Sequence, residues 1–298
     1  MNPAPVILFV YNRPGLLRLT LDSLSACILA SRSELFVFSD GPRTEADEIA
    51  VDRVRYIIRS FTAFGHTEFF FSDKHLGLAN SIIGGVTKII PTYKKVIIVE
   101  DDLVLSPNFL VYMNTCLDAF QSRADIGSVS GYSIPITIPV DYPYNVYLSR
   151  RYGSWGWGTW YDRWKGVNWY PAEVDNKKAF NMGGDDLSRM FRQQQRGRID
   201  SWAVRWSYHC YRNSLYTVCP RVSKVRNMGM GSGTNCRYKT KRYDVVIDTR
   251  KTFTLNSPDV MPSVEIISMF RAFFRHSLYK KLKLLIFDLY DFCFRSIL

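Results

Sequence analysis

The sequence predicts an α/β fold with a mostly parallel, Rossmann-like central sheet flanked by helices, and three observations predict it. Short apolar runs alternate with longer stretches of helical spacing through the first hundred positions. The opening run, Val6–Tyr11 (VILFVY), is apolar throughout, as in a strand buried on both faces. Each run then breaks into a polar or charged corner: Tyr11-Asn12-Arg13, Ser39-Asp40-Gly41, Ser72-Asp73 and Glu100-Asp101-Asp102.

After Val6–Tyr11, Pro14 opens a helix in which Leu17, Leu21 and Leu24 share one face. Leu35–Phe38 is the second strand, and Thr44–Phe61 a helix carrying Ile49, Val54, Ile57 and Ile58 at helical spacing. Thr67–Phe71, Leu76–Ile90 and Val96–Val99 continue as strand, helix and strand. Ser106-Pro107 reads as the N-cap and first residue of the next helix. This alternation implies right-handed βαβ units, whose ligands bind outside the carboxyl ends of the strands.

Beyond Asp125 the rhythm changes. Ile126–Val129, Val146–Leu148 and Tyr243–Ile247 read as strands, with helices near Gly184–Gln195 and Asp200–Asn213. Between them lie a Gly/Trp stretch, Gly153–Trp160 (GSWGWGTW), and a Gly-rich loop, Gly229–Asn235 (GMGSGTN). The expected organisation is a nucleotide-binding half over 1–125, an acceptor half over 126–262 sharing the same sheet, and a basic amphipathic segment over 263–298.

Bulk properties narrow the classes. The net charge of +12 favours anionic partners. The basic residues are spread, however, and no zinc finger, basic zipper or RNA-binding aromatic signature occurs, so nucleic acid is not the expected partner. No GxGxxG follows the first strand and no GxxxxGK(S/T) occurs, which disfavours a dehydrogenase or P-loop NTPase. The six cysteines show no CxxC pair and are expected as thiols of a cytoplasmic protein, with Cys219–Cys236 the one conceivable bridge. Met1–Pro5 carries no basic start or apolar stretch of a secretory signal. Met269–Leu298 mixes Phe270, Phe273, Phe274, Leu282, Leu284 and Leu285 with Arg271, Arg275, Lys280, Lys281 and Lys283. Two readings stand: a helix lying on an anionic membrane surface, or a terminal helix packed on the domain.

Three consecutive carboxylates at a strand end raise one another's pKa, and a divalent cation removes the conflict. Mg²⁺ or Mn²⁺ takes one or two protein carboxylates and completes its shell with water and phosphate oxygens. Strand alternation would point Glu100 and Asp102 one way and Asp101 the other.

The segment Val96–Leu110 (VIIVEDDLVLSPNFL) resembles the Glu-Asp-Asp segment of GT-A glycosyltransferases, most closely that of N-acetylglucosaminyltransferase I and its bacterial relatives. The likeness extends to the opening strand with Arg13, the Ser39-Asp40 corner, the helix around Asn80 and the run Arg196–Asn235. The Gly/Trp stretch looks like that of bacterial surface-polysaccharide sugar transferases. The resemblance implies transfer of a sugar from a UDP- or dTDP-type nucleotide sugar to a saccharide acceptor, with inversion and with Mn²⁺ or Mg²⁺. Asp102 would be the metal ligand, Glu100 and Asp101 would contact donor sugar and ribose, Asp40 the base, and Arg13 the nucleotide. Asn80 falls where the eukaryotic enzyme has a nucleotide-contacting His, and His75 is a possible substitute.

An inverting transfer needs a base for the acceptor hydroxyl. Asp162, Asp185, Asp186 and Asp200 are candidates, and Asp200, in Ile199-Asp200-Ser201-Trp202, fits the family pattern best. Its other reading is an N-cap for the following helix. Trp155, Trp157 and Trp160 are either a sugar-stacking wall or core. Gly229–Asn235 could close on the diphosphate, with Ser232 or Thr234 adding a hydroxyl. The basic tail points to a lipid-linked acceptor at the inner face of a bacterial membrane, in surface-polysaccharide synthesis. A sugar-phosphate nucleotidyltransferase, the nearest rival, usually carries a Gly-rich loop after the first strand, absent here. A non-catalytic carbohydrate- or membrane-binding module is the rival from another class.

Overall fold

A computed structural model describes residues 3–231 and 240–275. The expected βα alternation is present. Strand β1 (Val6–Val10) leads to α1 (Pro14–Ser25), β2 (Glu34–Ser39), α2 (Glu45–Arg59), β3 (His66–Phe71), α3 (Leu78–Tyr93) and β4 (Lys95–Glu100). Then follow β5 (Leu103–Leu105), α4 (Phe109–Ala119), β6 (Ile126–Ser130), β7 (Val146–Ser149) and β8 (Trp157–Trp160). The remaining elements are α5 (Tyr161–Trp164), α6 (Lys177–Phe180), α7 (Leu187–Gln195), α8 (Trp202–Arg212), β9 (Tyr216–Pro220), β10 (Val225–Asn227) and α9 (Val264–Phe273).

Eight strands form one sheet in the order β3-β2-β1-β4-β8-β6-β9-β7. β1 to β4 are mutually parallel, β6 and β9 run the same way, and β8 and β7 run against them. The sheet is therefore mostly parallel, with both halves of the chain built into it. Helices cover both faces. On one face Leu17, Leu21 and Leu24 of α1, Val54, Ile57 and Ile58 of α2, and Leu110, Met113 and Leu117 of α4 pack on Val6, Leu8, Ile97 and Val99. On the other, Ile82, Val86 and Ile89 of α3 meet Ile7, Phe9, Val96 and Ile98 together with Trp157, Trp164, Trp202 and Trp206. Burial of each such aliphatic side chain stabilises the fold by about 1.5–3 kcal/mol.

Several local expectations are corrected. Ile49 is 82% exposed, and Val51 takes its place on the buried face of α2. Ser106-Pro107 forms a turn ahead of α4 rather than its cap; the Ser106 hydroxyl donates to Asn108 Oδ1 (2.8 Å). Asn108 in turn donates to Asp248 Oδ2 (3.1 Å) and the Thr252 carbonyl (2.8 Å). Residues 243–247 form no strand; the stretch is tied down at its end, where the Asp248 amide donates to the Ser223 carbonyl (2.8 Å) and the carboxylate binds Lys224 and Arg250. The second half of the Gly/Trp stretch, whose tryptophans were expected as wall or core, is β8, antiparallel to β4 and β6 at the centre of the sheet, with Trp157 and Trp160 in the core. There Gly158 lets the strand lie close, since a Cβ would fall 2.8 Å from the Val96 carbonyl. Cys27, Cys116, Cys210 and Cys219 are free and buried, and Cys236 lies outside the described residues.

Candidate functional site

A cleft of about 1030 Å³ opens at the carboxyl ends of β1, β2 and β4, where open α/β sheets bind their ligands. Tyr11–Arg13, Asp40, Arg43, His75 and Glu100–Asp102 line one end. Tyr132, Ile134, Arg151, Trp155, Tyr243 and Phe274 line the other. The N-termini of α3 and α8 face each other across the middle, with Gly77, Ser81 and Asp200–Val204 at the surface. One pole is thus charged and the other aromatic.

The acidic triplet is divided by the end of β4. The strand stops at Glu100, and Asp101 and Asp102 sit in a turn, so strand alternation does not extend through them. Both turn residues converge on Arg13: its guanidinium forms ion pairs with Asp101 and, at 3.0 Å, with Asp102 Oδ2. Glu100 continues the face of Val96 and Ile98, towards the tryptophan-rich core.

This gives the three carboxylates different tasks. Asp101 is 2% exposed, and both its oxygens are engaged, one by Arg13 and one by the Tyr11 amide (3.2 Å). It anchors Arg13 and the β1 corner, so a ribose contact would require one of these bonds to yield. Asp102 gives one oxygen to Arg13, and its Oδ1 takes no partner among the described residues. Glu100 accepts no hydrogen bond among the described residues either. Burial and then the two neighbouring carboxylates push Glu100 well above the ordinary range, against the pull of Arg13. Burial raises Asp101 to about 6 while Arg13 opposes it. Such stress on unneutralised carboxylates is what a bound cation relieves.

Among the described residues no group of three or more His, Cys, Asp or Glu side chains is arranged to hold a metal ion. The open oxygen of Asp102 nevertheless suits a hard cation that takes the rest of its shell from water and phosphate. Fully ionised, the three carboxylates would carry three negative charges against one positive charge on Arg13, and a divalent ion would balance the remainder.

Gly229 fixes the position of Asp102. A Cβ there would lie 2.1 Å from Asp102 Oδ2, and the Met228 amide donates to the Asp102 carbonyl (2.7 Å). Gly229→Ala is expected to push the carboxylate off its place and to lower turnover by up to about 10²-fold. The melting temperature should barely change, since the displaced group borders the cleft; thermal denaturation alongside a rate assay checks both.

Asp40 builds the neighbouring corner. Its carboxylate accepts from the amides of Gly41 (2.9 Å), Leu76 (2.8 Å) and Gly77 (3.0 Å), and His75 Nδ1 lies 2.9 Å from Oδ2. The corner needs glycine at 41, because a Cβ would meet the Lys74 backbone at 2.6 Å. Asp40 thus clamps the approach to α3 while bordering the cleft. His75 lies beside it, its ring centroid 5.0 Å from that of Tyr11. Asn80 is exposed, donates to the Leu76 carbonyl (2.9 Å) and is not among the residues that line the cleft.

Of the candidate bases, Asp186 and Asp200 line the cleft, and Asp162 and Asp185 do not. Arg151 holds both oxygens of Asp186 (2.7 and 2.9 Å) and stacks on Phe274 at 3.6 Å. Asp200 keeps a side chain that is 44% exposed. It is not the cap of α8; Ser201 fills that place, accepting from the Val204 amide (3.3 Å). Asp200 instead reaches the start of α3, accepting from the Ala79 amide (3.3 Å), and pairs with buried Arg205 (3.0 Å). Of the three tryptophans, only Trp155 lines the cleft, edge-on to Tyr132 at 4.5 Å. Trp157 and Trp160 are buried core on opposite faces of the sheet. Ser232 lies outside the described residues, as does the chain beyond 275. The described part of the C-terminal segment packs on the domain, with Phe270 and Phe274 in the cleft wall. No helix among the described residues is long and apolar enough to cross a membrane.

Arg43, Ser81, Arg151, Tyr152 and Tyr243 were invisible as site residues in the sequence. They come from separate stretches without a shared motif, and only the packing brings them to one cleft.

No family model matches the chain, and no curated protein matches it. Among solved structures it is similar to S. aureus TarS, with a TM-score of 0.47 and 9% identity over 76% of this chain and 37% of that one. It is also similar to the mannosyltransferase PcManGT from Pyrobaculum calidifontis, solved with GDP-Man and Mn²⁺, with a TM-score of 0.38 and 14% identity. That match covers 61% of this chain and 52% of the other. The chain therefore spans about a third to a half of these proteins, and at such similarity neither transfers a residue's role.

Proposed function

We propose that the chain is a GT-A-type glycosyltransferase that takes a sugar from a UDP- or dTDP-type nucleotide sugar and passes it, with inversion, to a saccharide acceptor. The observation that supports this most is the arrangement of Arg13, Asp101, Asp102 and Glu100 at the carboxyl end of β4, at the charged pole of a two-ended cleft. Arg13, oriented by Asp101, offers a guanidinium fork suited to a diphosphate. Asp102 would hold Mn²⁺ or Mg²⁺, which supplies charge neutralisation for the departing diphosphate, and Glu100 would face the donor sugar. Asp40 and His75 border the space for the base, and Ser232 remains a candidate for the diphosphate.

The acceptor enters from the aromatic pole, where Trp155 lines the cleft and offers an aromatic ring to a sugar. Asp200, held by Arg205 and the start of α3, takes the proton from the attacking hydroxyl. The mixture of Lys280, Lys281 and Lys283 with Leu282, Leu284 and Leu285 supports a lipid-linked acceptor at the inner face of a bacterial membrane, in surface-polysaccharide synthesis.

Incubation with nucleotide sugars and Mn²⁺ tests the reading, with release of the nucleoside diphosphate as the signal. Asp200→Asn is expected to slow transfer by about 10²–10⁴-fold while donor affinity holds. Wild-type turnover in that variant would remove Asp200 from the role of base.

A further inference from the structure

We infer that Tyr152, together with Ser81 and Glu100, forms the floor that reads the hydroxyl pattern of the donor's sugar ring. The assignment rests on the transferase reading and adds to Glu100, which belongs to the motif that suggests it, Tyr152 and Ser81, which do not. Tyr152 is 7% exposed and packs edge-on against three tryptophans: Trp157 (5.3 Å, 89°), Trp202 (5.4 Å, 70°) and Trp206 (6.1 Å, 70°). Its ring is fixed, so its hydroxyl cannot turn out to find water. That hydroxyl is nonetheless buried without a hydrogen-bond partner, and so is Ser81 Oγ. Both side chains line the cleft.

Buried polar atoms without partners are rare in native proteins, and an unfilled ligand site is one of the few physical reasons for them. Here the Tyr152 hydroxyl lies within electrostatic reach of a carboxyl that is also unpartnered among the described residues, and Ser81 lines the same cleft. Glu100 is near enough to Tyr152 for its charge to act on the hydroxyl, and it accepts no hydrogen bond among the described residues. Two hydroxyls and a carboxyl, each with hydrogen-bonding capacity left over, match the mixed donors and acceptors of a sugar ring.

Position favours the sugar over the nucleotide. Asp101 and Asp102 turn to Arg13 on one side of the end of β4, whereas Glu100 lies on the other, with the tryptophan-rich core. A diphosphate held at Arg13 would therefore extend its sugar across the strand end towards Ser81 and Tyr152. The α3 helix brings Ser81 there because Gly77, with φ +81°, lets its first turn start against Asp200.

Tyr152→Phe separates this role from a structural one. Binding is measured by calorimetry with Mn²⁺ present, using UDP-glucose, UDP-N-acetylglucosamine and dTDP-glucose alongside free UDP and dTDP. The variant should lose at least about tenfold in affinity for the sugar nucleotide that the wild type prefers. Its affinity for the free nucleotide should be unchanged, and its melting temperature should hold or rise as an orphan hydroxyl is removed. Ser81→Ala should shift binding the same way. Equal loss for free and sugar-bearing nucleotides, or no loss for either, would overturn the assignment and leave the hydroxyl to a buried water. If the wild type binds neither kind of nucleotide, the transferase reading falls, and this assignment with it.

Discussion

Asp102→Ala should lose about 10³-fold in metal-dependent turnover of the nucleotide sugar, close to 4 kcal/mol of transition-state stabilisation. The size follows from the position of this carboxylate. It has an oxygen without a partner among the described residues, and under the proposed function that oxygen would take the cation that neutralises the departing diphosphate. The fold should survive, because Arg13 retains its ion pair with Asp101 and the Met228 amide bonds the Asp102 backbone rather than its side chain. Asp102→Asn should fail nearly as badly, since an amide keeps the shape but loses the charge. A rate assay paired with thermal denaturation distinguishes this from unfolding; a variant that melts as the wild type does and turns over normally would deny Asp102 its role.

Asp248→Ala should destabilise the fold by about 3–5 kcal/mol, the cost of stranding a buried charge. The stranded group is Lys224, whose side chain is 1% exposed and ion-paired to Asp248 beside the rings of Tyr112 and Phe253. Asp248 also receives Arg250 (2.8 Å) and the Asn108 amide (3.1 Å), so the variant frees the irregular stretch after residue 240 from β10 and α4. Burial alone would raise the Asp248 pKa, but hydrogen bonds from Arg250 and Lys224 outweigh it and hold the carboxyl well below the usual range. The folded-state value is depressed, so this stabilisation is fully present above the unfolded value of about 3.9 and drains as pH falls towards the folded one. Denaturant melts across acidic pH should show that loss in the wild type and not in Asp248→Ala.

The βα corners were legible because each is carried by contiguous periodicity: Leu17, Leu21 and Leu24 declare a helix face, and Val96–Val99 a buried strand. β8 was not, since Trp157–Trp160 has no alternation and owes its place in the sheet to neighbours far away in sequence. The three-residue strands β5 and β10 were too short to leave a pattern. In the site, the residue types at Glu100–Asp102 were readable but their directions were not, because the strand end that separates Glu100 from the other two leaves no mark in composition. Asp40 and Asp200 read as ligand-facing carboxylates, yet each spends oxygens on backbone amides at the start of α3. Tyr152 gave no signal at all, for its meaning depends on three tryptophans that hold it still.

The central claim is a cation-assisted nucleotide-sugar site at Asp102, and a thermal-shift comparison tests it most directly. Wild type and Asp102→Ala are melted with a panel of UDP-, dTDP- and GDP-sugars, each with Mn²⁺ and with a chelator. The account predicts that at least one nucleotide sugar raises the wild-type melting temperature only with Mn²⁺, as a ligand that binds the folded state must, and that Asp102→Ala loses this rise. A shift of equal size with chelator, or one retained in Asp102→Ala, would contradict it.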